Sequence, residues 1–102
     1  MDILVRIKRA VISGHFVFTA KARVEMAADR IAEEDVIESL VYALAIYKKI
    51  RSTSPHRGAR KEYLYVIQSA TLSGLAVYSK GKLVTKGGVD TYYILISAKR
   101  AL

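Results

Sequence analysis

The stretch EEDVIESLVYALAIYKKIR, residues 33–51, changes its apolar period at Leu44. Up to that residue the apolar side chains recur at helical spacing, and three acids open the segment, where a helix dipole favours negative charge. After it, apolar and polar residues alternate, with Ile46 and Ile50 on one side and Lys49 on the other. The stretch therefore predicts a helix that ends at Leu44 and is followed at once by a strand.

The same two periods extend in both directions along the chain. Upstream, apolar stripes and capping residues predict two more helices, so that the three helices cover residues 2–13, 20–29 and 33–44. Downstream, β-rich runs predict strands over residues 45–51, 60–69, 75–86 and 92–99, with a loop at 52–59. The order indicates one α+β domain, residues 1–102, with N-terminal helices packed on one face of a mostly antiparallel four-stranded sheet.

Positive charge is concentrated in the second half of the chain. From Lys48 to Leu102 there are eleven Lys or Arg residues and two acids, a local formal charge of +9, whereas the residues before Lys48 sum to −1. Five of the seven tyrosines also lie in the second half. A cationic surface with aromatic side chains is typical of proteins that bind nucleic acid, so we expect an anionic partner with planar rings.

Composition excludes several other classes of function. The chain has no cysteine, which excludes disulfides and thiolate chemistry, and its histidines and acids show no metal-ligand spacing. We therefore expect neither a metal nor another cofactor. The longest apolar run, residues 40–47, is too short to span a bilayer, and no signal peptide is recognisable. We expect a cytoplasmic protein without a membrane partner.

The period of the strands sorts their side chains by face. If the helices cover the apolar face, the other face is expected to be cationic and aromatic, and this predicted set is Lys49, Arg51, Tyr78, Lys80, Lys82, Tyr93 and Lys99. Such a set suits metal-free RNA cleavage, in which a 2′-hydroxyl attacks the neighbouring phosphate and cations stabilise the developing charge. A lysine-rich strand face also protects a sheet from aggregation, so a merely solvated face is the competing interpretation.

Of three further titratable residues, two have two interpretations each. His56 lies in a loop and is either a general acid or a histidine without a role, and His15, beside a glycine, favours a structural role. Glu62 is either a general base or the ion-pair partner of Arg60 or Lys61.

The stretch TAKARVEMAADRI, residues 19–31, followed by EEDV at 33–36, resembles a bacterial family of small domains of unknown function with the pattern T-x-H-A-x-x-R-M-x-x-R-x-I-x-x-x-D-V. The stretches IRSTSP at 50–55, YSKGK at 78–82 and YILISAKR at 93–100 also resemble that family. The chain departs from the pattern at Lys21, Glu25 and Asp29, where the family has a histidine and two arginines. Any role of those three positions is therefore not carried over.

Two features extend the resemblance to toxin proteins. The I-S-A-K-R ending is similar to that of BrnT-type toxins, and helices followed by a sheet, with a Tyr-Lys pair after the third helix, are similar to MqsR-type toxins of the broad RelE/ParE-like group. Several members of that group are mRNA endonucleases. The resemblance implies a RelE/MqsR-like fold and, by residue type, a catalytic set of Lys48, Tyr78 and Lys99.

The resulting hypothesis is a toxin-type RNA-binding domain that cleaves mRNA without a metal, either free or on the ribosome. Lys49, Arg51, Lys80, Lys82 and Tyr93 are its predicted RNA-binding residues. The alternative is a non-catalytic module that binds nucleic acid or an acidic protein on the same face. An antitoxin protein and a homo-oligomer are further partners that the sequence leaves open.

Overall fold

The computed structural model describes residues 2–52 and 62–102, in which three helices precede most of a five-stranded sheet. The helices are α1 (Ile3–Ile12), α2 (Ala20–Asp29) and α3 (Glu33–Val41). The strands are β1 (Phe16–Phe18), β2 (Lys48–Arg51), β3 (Tyr63–Ala70), β4 (Ala76–Lys86) and β5 (Val89–Arg100). The α+β class is therefore as predicted.

The sheet is mixed, with the strand order β1-β5-β4-β3-β2. Strands β2 to β5 pair antiparallel with their neighbours, whereas β1 pairs parallel with β5, Phe16 opposite Tyr93. The expected four-stranded sheet is thus one strand short. A three-residue segment between two helices is too short to show a period-two pattern, so the apolar periods did not predict β1 as a strand of the sheet.

The other element boundaries differ from the prediction by a few residues. Helix α3 ends at Val41 rather than at residue 44, and β2 begins only at Lys48. Strand β5 begins earlier than predicted because Gly87 and Gly88, at φ 58° and 80°, complete the hairpin turn by themselves. Two consecutive residues with positive φ match the right-handed twist of the strands they join, and glycine adopts that conformation without steric cost.

All three helices pack against the same face of the sheet, which we call the helix face. Residues of each helix form one core cluster with the inward side chains of three strands, namely Tyr65, Ile67, Val77, Tyr93, Leu95 and Ala98. Helix α1 contributes Ile7 and Val11 from its apolar stripe, and Asp2 caps its first turn by accepting from the Leu4 N–H at 3.0 Å. Burial of this stripe, more than helix propensity, holds α1 in place.

Gly81 creates the space that the largest core side chain needs. A Cβ at this position would lie 2.6 Å from Cζ of Tyr93 and 2.6 Å from the Ile94 carbonyl oxygen, so only glycine fits. Tyr93 lies on the helix face and is fully buried. This contact gives the YSKGK stretch a structural role, because Ser79 and Gly81 face the core while Tyr78, Lys80 and Lys82 face away from it.

Helix α2 covers the part of the β5 edge that β1 does not reach. The Glu25 carboxylate accepts hydrogen bonds from the Ser97 hydroxyl at 2.6 Å and from the Ala98 N–H at 3.1 Å, while Asp29 accepts from the Arg100 N–H at 2.8 Å. These bonds satisfy backbone donors that would otherwise form an open strand edge. The two acids that depart from the family pattern therefore attach α2 to the sheet.

Burial and hydrogen bonding act in opposite directions on the Glu25 carboxyl. Burial opposes its charged form, but the hydrogen bonds from Ser97, Lys21 and Ala98 outweigh that penalty and lower its pKa. Asp90, in the β4–β5 hairpin, accepts two bonds from the Arg6 guanidinium of α1 at 2.7 and 2.9 Å. That bidentate contact holds the pKa of Asp90 below its ordinary value and fixes α1 against the hairpin.

Candidate nucleic-acid interface

The face of the sheet opposite the helices, which we call the open face, carries a group of cationic and aromatic side chains. Residues directly opposite one another in an antiparallel pair project from the same face, so the register orders these side chains in rows. One row runs through Lys48, Val66 and Lys80, and a second runs through Gln68, Tyr78 and Lys99. Lysines from three strands therefore project from one surface.

The second row contains a direct contact between two of the predicted catalytic residues. The Lys99 ammonium lies 5.2 Å from the centroid of the Tyr78 ring, a cation–π contact that orients an exposed lysine. Lys99 makes no ion pair with Asp90 or Glu62, because those acids bind Arg6 and Lys82. Its charge is therefore accessible to a bound phosphate.

Gln68 is a member of this row that the sequence analysis missed. It lies on β3 directly opposite Tyr78, and its side chain is exposed. Its even parity with Val66 indicates the same face, but an uncharged amide carries none of the charge pattern on which the predicted set rests. A carboxamide can donate to a phosphate oxygen or to a base edge, so Gln68 belongs to the candidate interface.

In the first row, the apolar residue Val66 of the open face is buried between two lysines. Val66 is only 2% exposed although it lies outside the core cluster, on the face that no helix covers. Lys48 and Lys80 flank it, and lysine stems cover apolar surface while their ammonium groups stay in water. Within residues 2–52 and 62–102, neither ammonium pairs with a carboxylate.

Lys82 differs from the other lysines because it has an acidic partner. Its ammonium lies 3.4 Å from Oε1 of Glu62, whereas the sequence favoured Arg60 or Lys61 as the partner of Glu62. Those two residues lie outside the described part of the chain, as do His56 and the second half of the IRSTSP stretch, residues 53–55. Lys82 is four residues from Tyr78 along β4, about 13 Å at the usual strand rise, so it forms a separate end of the interface.

Lys49 and Arg51 lie on the helix face and not, as predicted, beside Lys80. They pair with Tyr65 and Tyr63, whose side chains contact the core, and the Lys49 ammonium lies 4.3 Å from the Tyr63 ring centroid. Ile50 faces the other way. Edge strand β2 exposes cations on either face at little cost, so its alternation could not decide which face meets the helices.

The prediction that Tyr93 lies on the open face is wrong, since its ring fills the space at Gly81 in the core. The outward position belongs to its neighbour Tyr92, which is 43% exposed and pairs with Val84. A register shift at Lys80–Gly81 reverses the parity of β5, so Lys99 and Tyr92 share a face although one number is odd and the other even. Burial raises the pKa of Tyr93 well above its ordinary value.

Comparison of this chain with known proteins finds no relative. No family of known sequences, no curated protein and no solved structure matches this chain. The resemblance to toxin families stays a prediction. Among the residues that the structure describes, no helix is long and apolar enough to cross a membrane.

Proposed function

We propose that the open face binds single-stranded RNA and that its Tyr78–Lys99 end cleaves the bound strand without a metal, as in a toxin-type endoribonuclease. The observation that carries the proposal is the group of Lys48, Lys80 and Lys99, which share the face opposite the helices and make no ion pair among the described residues. Ammonium groups held this way are available to phosphates.

The arrangement suits a single strand better than a duplex. Lys80 and Lys82 are separated by two residues along β4, about 6.6 Å, so consecutive charges follow an extended backbone. Tyr92 offers an exposed ring on which a base can stack, and stacking on a sheet surface requires unpaired bases. A duplex would expose its phosphates but not its base faces.

The proposed reaction uses the RNA's own 2′-hydroxyl as the nucleophile. Its oxygen attacks the adjacent phosphorus, a base accepts its proton, and the bond from phosphorus to the 5′-oxygen breaks as that oxygen takes up a proton. The products are a 2′,3′-cyclic phosphate and a 5′-hydroxyl. Lys99 would stabilise the negative charge of the pentacoordinate phosphate, while Tyr78 and Gln68 position the sugar. Lys48, the third predicted catalytic residue, lies on β2, three strands from Lys99 in the sheet, and would hold a neighbouring phosphate instead.

One observation favours binding without cleavage as the second candidate function. Among the described residues, the carboxylate that contacts a lysine of the open face is Glu62, at Lys82, about 13 Å from Tyr78. Within residues 2–52 and 62–102, the Tyr78–Lys99 pair therefore has no ion-paired carboxylate to act as the general base. A binding module would use the same cations and Tyr92 and would leave the RNA intact.

Cleavage assays on naked RNA and on translating ribosomes, with a chelator present, separate the two functions. Lys99→Ala should lower the cleavage rate about 100-fold and change binding far less, because its charge acts mainly on the transition state. Lys86→Ala, eight residues from Tyr78 on the same strand, is the matched control and should leave the rate unchanged. Intact RNA on both substrates would reject the endonuclease, and cleavage that needs an added metal would reject this mechanism.

Salt dependence tests the binding step by itself. The four lysines of the candidate interface, Lys48, Lys80, Lys82 and Lys99, predict a slope of log affinity against log salt of about −3 for single-stranded RNA, and Lys80→Ala should reduce its magnitude by about 0.7. A flat titration, or equally tight binding to double-stranded DNA, would reject the single-stranded RNA interface.

A further inference from the structure

A second surface, which is mainly apolar where the open face is cationic, lies between α3 and β2. Three large apolar residues of the connection are exposed there, with Tyr42 at 50%, Leu44 at 97% and Tyr47 at 67%. Leu72 of the β3–β4 turn is exposed as well. Single exposed apolar residues are ordinary on a protein surface, but a cluster of them marks a contact surface.

This segment borders a notch at the edge of the sheet. Strand β2 pairs with β3 only from Tyr63 to Val66, so within the described residues no strand covers the outer edge of β3 from Gln68 to Ala70. A cavity of about 480 Å³ lies at this place, lined by Tyr42, Leu44, Ala45, Tyr47, Gln68, Ser69 and Ala70. The notch therefore combines an uncovered strand edge with apolar walls.

Opposite charges lie on the two sides of the apolar segment. On one side lie three glutamates of α3. Glu33 binds Arg23, and Glu38 accepts from the Leu72 N–H. The exposed carboxylate of Glu34 has no partner among the described residues. On the other side, Lys49 is exposed on the helix face, the same side of the sheet as α3. The exposed side chains of this surface are thus apolar in the middle, acidic at one end and basic at the other, while the Lys8 ammonium of α1 donates to the Ala43 carbonyl of the connection at 2.6 Å.

We infer that this surface is where a second copy of the chain docks, with two-fold symmetry. A two-fold axis through the Tyr42–Tyr47 connection reverses its ends, so the acidic end of each copy meets the basic end of the other. Glu34 of one copy faces Lys49 of the second copy, and the exposed Leu44 of each copy enters the notch of the other. Such charge self-complementarity selects a second copy over an unrelated partner.

The symmetric contact also explains why the notch is not filled from within the same chain. Leu44 belongs to the rim of its own notch, where its side chain remains 97% exposed. In an isologous contact, Leu44 of each copy inserts its apolar side chain into the notch of the other copy, so both Leu44 side chains become buried together. With the axis perpendicular to the sheet, both open faces stay on one side, so this association does not depend on the proposed RNA function.

Sedimentation equilibrium of the purified chain tests the inference, at concentrations up to about 500 μM because small interfaces are weak. The wild-type chain should dimerise reversibly, and Leu44→Asp should weaken association about 100-fold or more, since it buries a charge where an apolar side chain was. Val24→Asp, at a residue 69% exposed on α2, is the matched control and should leave association unchanged. A monomer at every concentration overturns the inference, and so does a dimer that Leu44→Asp leaves intact.

A charge exchange tests the orientation of the two copies. Glu34→Lys and Lys49→Glu should each weaken the dimer about 3- to 10-fold, whereas the double variant should recover most of the loss, because each reversed charge again meets its opposite. Both residues are exposed, and unchanged thermal unfolding of the monomer will confirm that the variants fold. Additive losses in the double variant would contradict the two-fold arrangement.

Discussion

The helix face and the open face of the sheet use the same three long strands but hold their side chains in different ways. On the helix face, Val77, Tyr93 and Leu95 are fully buried, and each side chain is fixed by its neighbours. On the open face, Lys99 is held by one ring and Lys82 by one carboxylate, both in contact with solvent. Packing determines the first face, whereas weak contacts leave the second free to rearrange around a ligand.

The difference predicts that stability resides on one face and binding on the other. Changes on the helix face should lower the free energy of unfolding by amounts that follow the tightness of packing. Changes of lysines on the open face should leave unfolding nearly unchanged, because partly exposed cations contribute little to stability.

Gly81→Ala should have the largest effect on stability. The added Cβ would lie 2.6 Å from the Ile94 carbonyl oxygen, which is backbone and cannot move aside cheaply. We expect a loss of about 3 kcal/mol, measured by chemical denaturation. Ser79→Ala, at the other small inward residue of β4, is the control and should cost less than about 1 kcal/mol. A neutral Gly81→Ala variant would show that Tyr93 does not pack against β4 in this way.

The loss of unfolding free energy on truncating a valine can be compared directly between the two faces. Val77 is fully buried in the core and Val66 is 2% exposed on the open face, so exposure alone does not distinguish them. We expect Val77→Ala to cost about 2.5 kcal/mol and Val66→Ala about 1 kcal/mol, because the stems of Lys48 and Lys80 can close over the smaller side chain. Equal losses in denaturation experiments would mean that the open face is packed as rigidly as the core.

Glu25→Gln should cost about 1.5 kcal/mol at neutral pH, since it weakens the charge-assisted bonds that hold α2 against β5. Because the folded pKa of Glu25 lies below its ordinary value of 4.5, the unfolded chain takes up this proton first as the pH falls. The contribution of Glu25 is therefore complete above about pH 5.5 and is lost as the pH falls through the folded pKa. Denaturation curves of the two proteins should converge in acid, and a constant difference down to pH 3 would contradict this assignment.

The sequence predicted the elements better than it predicted the faces. Three helices and four strands follow from apolar periods, because each element has enough residues to show its period. The faces depend on one register shift at Gly81, which exchanges Tyr92 and Tyr93, and on an edge strand whose cations are tolerated on either side. Both are decided by tertiary packing, so no local pattern at Lys49, Arg51 or Tyr93 could place them.

The candidate site was predicted in part, and the division follows the same physics. Tyr78, Lys80, Lys82 and Lys99 were placed together because β4 and β5 form a long hairpin whose turn is evident from two glycines. The register near the turn would put Lys80 opposite Leu95, and two register shifts, at Val84–Thr85 and Lys80–Gly81, bring Ser97 there instead. Gln68 could not be placed with them because it lies on a different strand, and only the register of β3 against β4 brings it to Tyr78.

Tyr93→Phe should have the smallest effect, and its sign is informative. The Tyr93 hydroxyl is fully buried, and no group of the described chain forms a hydrogen bond with it. A buried hydroxyl without a partner opposes folding, whereas its removal leaves only a small void, so we expect a gain of up to about 1 kcal/mol in denaturation experiments. Tyr92→Phe, at the exposed neighbour, should leave stability unchanged and preserve the ring that we assign to base stacking. If Tyr93→Phe instead lowers stability by more than about 1 kcal/mol, the hydroxyl has a hydrogen-bond partner, such as an ordered water molecule, and the helix face carries a polar interaction beneath Gly81.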